Sequence, residues 1–320
     1  MTGAIKRARR IFMQGKDFKA IHWAAHLEVQ VIHFSTFREM CSILRSSDSG
    51  DLVIYRYQNN PRSFLASLAV WVVMVLQVAK ARIWGQSVVW ICHNVDRETQ
   101  PYHPRIQGLR RRLLVRFADE VFVLDPAFVT HCTRSDAKPI SFGIKEGGEV
   151  SSANRAQIEK LAQRVDRVVL IAGQDGGKYK AFCRIPEVYS HFSKLGLTVG
   201  FVCAGMAQSR SFGSRIEQNL LRIVEPNLRE SELSHLVDYI YRENADISVP
   251  YSIYAAATAE IPVLTRDDNI LAEIVQRERI GTVLGQPEER PNRQYDFKGF
   301  LKRHDWRSLR NRLYESEILP

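Results

Sequence analysis

The sequence predicts an α/β protein built from two doubly wound, Rossmann-like domains that face a cleft. Three observations predict it. Strand-like and helix-like runs alternate along the whole chain. The strand runs, such as 88–92 (VVWIC) and 120–124 (EVFVL), are apolar on both faces, as strands in a parallel sheet covered by helices must be. A polar, glycine-rich stretch at 143–154 (GIKEGGEVSSAN) splits the alternation into two series and reads as a linker. The 320 residues are enough for two cores. The expected domains are 1–145, 146–295, and a terminal helical segment at 296–320 that packs back on the first domain.

The first series opens with a short strand at 10–13 and a helix at 17–27. A strand at 29–34 (VQVIHF) follows, and Ser35 is the expected cap of a helix at 36–45. The turn Asp48-Ser49-Gly50 leads into a strand at 51–57 (DLVIYRY). An apolar helix comes next, and Gly85 opens the strand at 87–92. A helix at 105–117, a strand at 120–124, a short helix with Pro126 at its first position, and an extended piece at 138–142 complete this half.

The second series has a helix at 155–164, a strand at 167–172 (RVVLIA), a helix at 186–194 and a strand at 198–204 (TVGFVCA). A strand at 221–224, a helix at 230–241 and a strand at 246–249 follow. A helix at 252–259, a strand at 262–265 and a helix at 270–277 end the domain. The last helix, near 305–314, is strongly basic. In open α/β sheets ligands bind outside the carboxyl ends of the strands. Two such sheets suit a two-substrate reaction, with one domain for each partner.

Composition excludes several classes. The chain is 45% hydrophobic and 25% charged, which is ordinary for a globular protein and too apolar for a disordered one. The five cysteines, at 41, 92, 132, 183 and 203, form no C-x-x-C pair. They read as reduced thiols and point to the cytoplasm. The net charge of +10 is clustered at Lys6, Arg7, Arg9 and Arg10, at Arg110 to Arg112 with Arg116, and at Arg303, Arg307, Arg310 and Arg312. Such clusters favour an anionic partner. No nucleic-acid-reading motif accompanies them, so an anionic membrane surface and phosphorylated ligands are the expected partners.

Within 64–79 (FLASLAVWVVMVLQVA) only Ser67 and Gln77 are clearly polar. A spanning helix needs about 20 apolar residues. The position between two strands predicts a buried crossover helix, with a helix dipping into the bilayer surface as the alternative. No apolar run lies near the start, so no signal peptide is expected.

Three stretches carry a resemblance. Residues 88–95 (VVWICHNV) with 118–123 (ADEVFV) make a strand ending in His-Asn and, further on, an Ala-Asp strand. Residues 170–175 (LIAGQD) with Lys178-Tyr179-Lys180 make a strand, a glycine turn and lysines. Residues 245–252 (ADISVPYS), 255–265 (AAATAEIPVLT), 271–275 (LAEIV) and Gly281 make the third. Together they resemble GT-B glycosyltransferases, near the family-four-like retaining group of bacterial polysaccharide enzymes. There are departures. Ala181 stands where that group has a glycine after the lysine. Ala255 stands where it has the second of two glutamates seven residues apart, and the loop carrying the first is shortened. The resemblance therefore leaves an inverting mechanism open.

The resemblance implies a hexosyltransferase-like enzyme of polysaccharide biosynthesis, cytoplasmic or peripheral at the inner face of the plasma membrane. It would move a sugar from a nucleotide sugar to a glycan or lipid-linked glycan. The donor-side candidates are Gly173, Gln174, Lys178, Lys180, Gly205, Tyr251, Ser252, Ile253 and Glu273. Glycines let backbone approach a diphosphate, lysines offset its charge, and a helix start supplies N–H groups, with Ser252 as cap or direct ligand. No D-x-D pattern is present and Asp267-Asp268-Asn269 reads as a helix cap, so no metal and no cofactor are expected. On the acceptor side the polar loop after 88–92 offers His93, Asp96 and Glu98 as catalytic candidates. His93 is a base or an orienting group. Gly15, Asn94 and His103 are the further acceptor-side candidates. A non-catalytic sugar-nucleotide-binding or scaffold protein of the same fold, or a nucleotide-sugar epimerase, are the alternatives.

Overall fold

The computed structural model describes residues 10–56, 62–95, 102–144, 152–171, 181–205, 210–223, 235–244, 247–286 and 295–319. The chain divides into two compact units. One comprises Met1–Phe142, Asp246–Ser248 and Asp305–Pro320, and the other Gly143–Ala245 and Val249–His304.

The first unit contains β1 (Ile11–Gln14), α1 (Phe18–Ala25), β2 (Val31–Phe34), α2 (Phe37–Ser46), β3 (Leu52–Tyr55), α3 (Phe64–Trp84), β4 (Ser87–Cys92), α4 (Pro104–Phe117), β5 (Glu120–Val123) and β6 (Lys138–Pro139). Its sheet has the order β2-β1-β3-β4-β5-β6, and every neighbouring pair is parallel. Strands β3 and β4 are buried on both faces, which is why their sequences run apolar without alternation. The chain winds one way from β1 to β2 and the other way from β3 onward. The switch point therefore lies between β1 and β3.

Two expectations are corrected here. The cap of α2 is Thr36, not Ser35: Thr36 Oγ1 accepts from the Glu39 amide, and Glu39 reaches back to the Thr36 amide at 2.9 Å in a capping box. The apolar helix is not a buried crossover. It is longer, at 21 residues, and only a third of its most apolar window is buried. It does cross between β3 and β4, but one face packs and the other is exposed.

The second unit contains α5 (Ser152–Ala162), β7 (Arg167–Ile171), α6 (Ile185–Lys194), β8 (Val199–Ala204), α7 (Ser214–Glu217), β9 (Leu220–Ile223), β10 (Tyr239–Tyr241), α8 (Ser252–Thr258), β11 (Val263–Thr265), α9 (Ile270–Glu278), β12 (Gly281–Val283) and α10 (Phe297–Arg303). Its parallel sheet has the order β12-β11-β10-β7-β8-β9. The switch point lies between β7 and β10. Its core gathers Val169, Ile171, Phe182, Ile185, Phe201 and Tyr241 under the sheet. The last helix, α11 (Arg307–Glu315), belongs to the first unit and packs on α1.

The strand before α8 is also corrected. A helix over 230–241 and a strand at 246–249 are expected, but the strand is β10, at Tyr239–Tyr241. The Asp238 carboxylate accepts from the Val168 amide at 2.7 Å and its own amide donates to the Val168 carbonyl at 2.9 Å, fixing β10 beside β7. Residues 247–250 lie in no ladder. The Ala-Asp pair at 245–246 lies outside the described residues.

Candidate functional site

At the switch point of the first sheet, three strand ends meet in one polar cluster. Strand β1 leaves through Gly15, whose φ of 101° is a conformation glycine adopts without strain. The Gly15 amide donates to the Phe34 carbonyl at 2.7 Å, and His33 Nδ1 bonds the Gly15 carbonyl at 2.9 Å. Asp17 then caps α1, accepting from the Lys19 and Ala20 amides at 3.0 and 3.3 Å.

Arg56 stands immediately after β3 and its side chain has no exposed surface. Its guanidinium donates to Asp17 at 2.9 and 3.1 Å, to the Gln14 carbonyl at 3.3 Å and to His93 Nε2 at 3.3 Å. Its amide donates to Gln14 Oε1 at 2.8 Å. A buried guanidinium requires such a set, because desolvating it without a carboxylate is costly. Burial alone would raise the Asp17 pKa. The Arg56 hydrogen bonds and charge, with the Ala20 and Lys19 amides, outweigh burial and hold it below the ordinary carboxylate value. Aromatic rings enclose the cluster. Trp23 lies 5.3 Å from the Arg56 guanidinium, Phe142 stacks on His93 at 6.1 Å, and Trp306 packs on Trp23 at 5.9 Å.

Arg56 carried no signal in the sequence beyond being a lone cation at the end of an apolar strand. His93 is at the expected place, after β4, but it is only 6% exposed. Because Nε2 accepts from Arg56, the ring proton is assigned to Nδ1. Asn94 offers its carbonyl to Arg111 at 3.0 Å. His103 stands apart from this cluster, bonding the Arg62 carbonyl at 2.9 Å and meeting the edge of Phe64. Asp96 and Glu98 lie outside the described residues.

At the switch point of the second sheet, the segments that follow β7, β10 and β11 carry charge. Arg184 pairs with Glu243 at 3.3 Å and with Glu187 at 3.7 Å. Arg266 pairs with Glu187 at 3.4 Å and with Asp268 at 2.9 Å. Tyr241 donates to Glu243 at 3.0 Å, and burial followed by that carboxylate pushes its phenol pKa upward. Sequence reasoning missed these arginines because the pairs that join the three segments, Arg184 with Glu243 and Arg266 with Glu187, are distant in the chain. Asn269 caps α9 through Leu271, as expected of that triplet. Gly205, with φ of 73°, turns the chain after β8 and bonds the Ile223 carbonyl at 2.8 Å.

Tyr251 stacks on Tyr254 at 5.6 Å and donates to the Gly143 carbonyl at 3.2 Å. Ser252 is the first residue of α8 and not its cap; the cap position is Tyr251, which makes no capping side-chain bond. Ser252 Oγ is buried and has no hydrogen-bond partner among the described residues. A buried hydroxyl left so is unusual in a folded protein. Ile253 sends its side chain into the core and its amide to the Pro250 carbonyl at 3.3 Å, so a direct ligand role is unsuited to it. Glu273 is exposed in the first turn of α9. Gly173, Gln174, Lys178 and Lys180 lie outside the described residues.

No family model matches the chain, and no curated protein sequence matches it. Solved structures do match. The chain is similar to HepE from Anabaena in complex with UDP, with a TM-score of 0.61 and 13% identity, covering 96% of this chain and 99% of that one. The complex of HepE with UDP-glucose gives a TM-score of 0.56 at 14% identity, over 97% and 92% of the two chains. AviGT4, a glycosyltransferase involved in avilamycin A biosynthesis, gives 0.55 at 14% identity over 96% of each chain. At these identities the likeness establishes the fold: two Rossmann-like domains of the GT-B class.

Proposed function

We propose that this protein is a glycosyltransferase that moves a sugar from a nucleotide-sugar donor to a glycan or lipid-linked glycan. The observation that carries the reading is end-to-end likeness to a GT-B protein captured with UDP and with UDP-glucose. The donor is assigned to the carboxyl edge of the second sheet, where nucleotides bind in doubly wound folds. There Ser252 Oγ would donate to a diphosphate oxygen. Arg184 and Arg266, with Lys178 and Lys180 from the sequence, would offset the charge of the leaving nucleoside diphosphate without a metal. Tyr251, Gly205 and Glu273 would border the nucleotide.

The acceptor is assigned to the carboxyl edge of the first sheet. The acceptor hydroxyl oxygen bonds the anomeric carbon, the bond from that carbon to the diphosphate oxygen breaks, and the hydroxyl proton passes to a carboxylate. Asp96 and Glu98 are the base candidates, and inversion needs only one of them. His93 would orient Arg56 and not take the proton itself, since its Nε2 is spent on the guanidinium. Gly15, Asn94 and His103 would line the acceptor path. The protein would act in the cytoplasm.

A second reading is a nucleotide-sugar-binding protein without transfer, favoured by Ala255 at the position of a glutamate in the resembling group. Incubation with a panel of nucleotide sugars, with and without glycan acceptors, tests both. Release of nucleoside diphosphate supports transfer. Saturable binding with no release under any condition supports the second reading.

A further inference from the structure

Helix α3 buries the wrong-looking face. Inward it places Ser67, Val73, Met74, Gln77, Val78 and Ala81. Outward it places Leu65, Ala69, Val72, Leu76, Ala79 and Ile83, spaced four and three residues alternately, which makes one continuous stripe. Leu65 is 73% exposed and Ile83 is 79% exposed. A 21-residue helix is about 31 Å long, so the stripe runs far beyond an isolated surface leucine.

Charge surrounds the stripe on one side. The neighbouring helix α4 exposes Arg105, Arg112 and Arg116, with Leu109 between them, at the same helical spacing. Neither helix contains a single acidic residue. Aromatic rings that suit a membrane interface stand at both ends of α3: Tyr102 near its start, 55% exposed, and Trp84 at its end, 53% exposed. Arg110, expected to share in an exposed basic cluster, does not. It is 1% exposed, donates to the Ser67 carbonyl at 2.6 Å, and burial pulls its pKa down to about 10.

We propose that the exposed faces of α3 and α4 dock this protein on an anionic lipid bilayer, with α3 lying in the plane of the interface. An apolar stripe beside a row of cations matches an interface of acyl chains beside anionic headgroups. A second copy of the chain is a poor occupant, because two-fold pairing through this face would bring its arginine rows together. Spanning is equally poor. The inner face holds Gln77, which donates to Gln86 at 3.2 Å, and Ser67, which takes the Arg110 guanidinium, and extraction would strand both. This surface is independent of the donor site, and its test involves no nucleotide sugar.

Co-sedimentation of the full chain with vesicles decides it. One set is phosphatidylcholine alone, and the other contains about one-third phosphatidylglycerol; each exposed arginine near the charged surface is worth about fivefold in partitioning. Binding is expected to the anionic set only, and to fall about tenfold or more when added salt shortens the Debye length. Arg112→Glu with Arg116→Glu should abolish it, as should Leu76→Asp with Ile83→Asp. All four positions are exposed or partly so, and circular dichroism would report any variant that fails to fold. Equal binding to both vesicle types overturns the proposal, as does binding untouched by salt, which would mark a spanning helix. A salt-insensitive dimer in sedimentation velocity without vesicles, lost in the Leu76→Asp, Ile83→Asp variant, would assign the face to a second copy and overturn it as well.

Discussion

Arg56 and Asp17 form a two-point ion pair, 2.9 and 3.1 Å, exactly where the winding of the first sheet reverses. The two partners are unequal. The Arg56 side chain is wholly buried, whereas Asp17 keeps 36% of its side chain exposed.

That inequality predicts unequal mutational costs. Asp17→Ala removes the carboxylate from a buried guanidinium and the cap from α1, and should cost about 3 kcal/mol. Arg56→Met leaves Asp17 in contact with water and with its two capping amides, and should cost about 1 kcal/mol. Urea unfolding midpoints measure both. Equal losses, or a larger loss in Arg56→Met, would contradict the asymmetry.

Glu39 and Asp17 are two of the carboxylates through which the first unit gains acid stability. The Glu39 pKa is lowered from 4.5 to about 2 by the Lys16 hydrogen bond, followed by the Ser35 and Thr36 amides. Asp17 is lowered as well. A depressed carboxylate contributes stability that is complete above its unfolded value and is lost as pH falls through its folded value. Stability should therefore decline from about pH 4.5 toward pH 2. Glu39→Gln should flatten that decline. Identical acid limbs for the variant and the parent chain would remove Glu39 from the account.

Ser252 separates binding from stability. Its hydroxyl is buried and without a partner among the described residues. Ser252→Ala should leave the Tm unchanged or raise it, since it removes an unsatisfied polar group. The same change should weaken nucleoside diphosphate binding about tenfold, the worth of one hydrogen bond to a charged oxygen. A lowered Tm with unaltered nucleotide affinity would show that the hydroxyl serves the fold.

The alternation of strands and helices was legible because β4 and β8 are buried on both faces and therefore read as unbroken apolar runs. Strand β10 was not, because three residues, Tyr239–Tyr241, are too few to declare a period. The arginine triplet was misjudged for a geometric reason. Consecutive helical residues lie about 100° apart, so Arg110, Arg111 and Arg112 cannot share a face. Arg110 turns inward to Ser67, Arg111 lies over Trp90, and Arg112 faces solvent. His93 announced itself by ending a strand. Arg56 did not, since its meaning depends on Gln14 and Asp17 from the end of β1 and His93 from the end of β4 meeting it at the end of β3.

The most direct test of the central claim is calorimetric titration of the full chain with UDP and other nucleoside diphosphates, carried out in the presence of a chelator. The account predicts saturable binding at one site without added metal, weakened in Lys180→Ala and in Ser252→Leu. Absence of saturable binding by every nucleoside diphosphate at millimolar concentration, or binding that appears only when a divalent metal is restored, would contradict it.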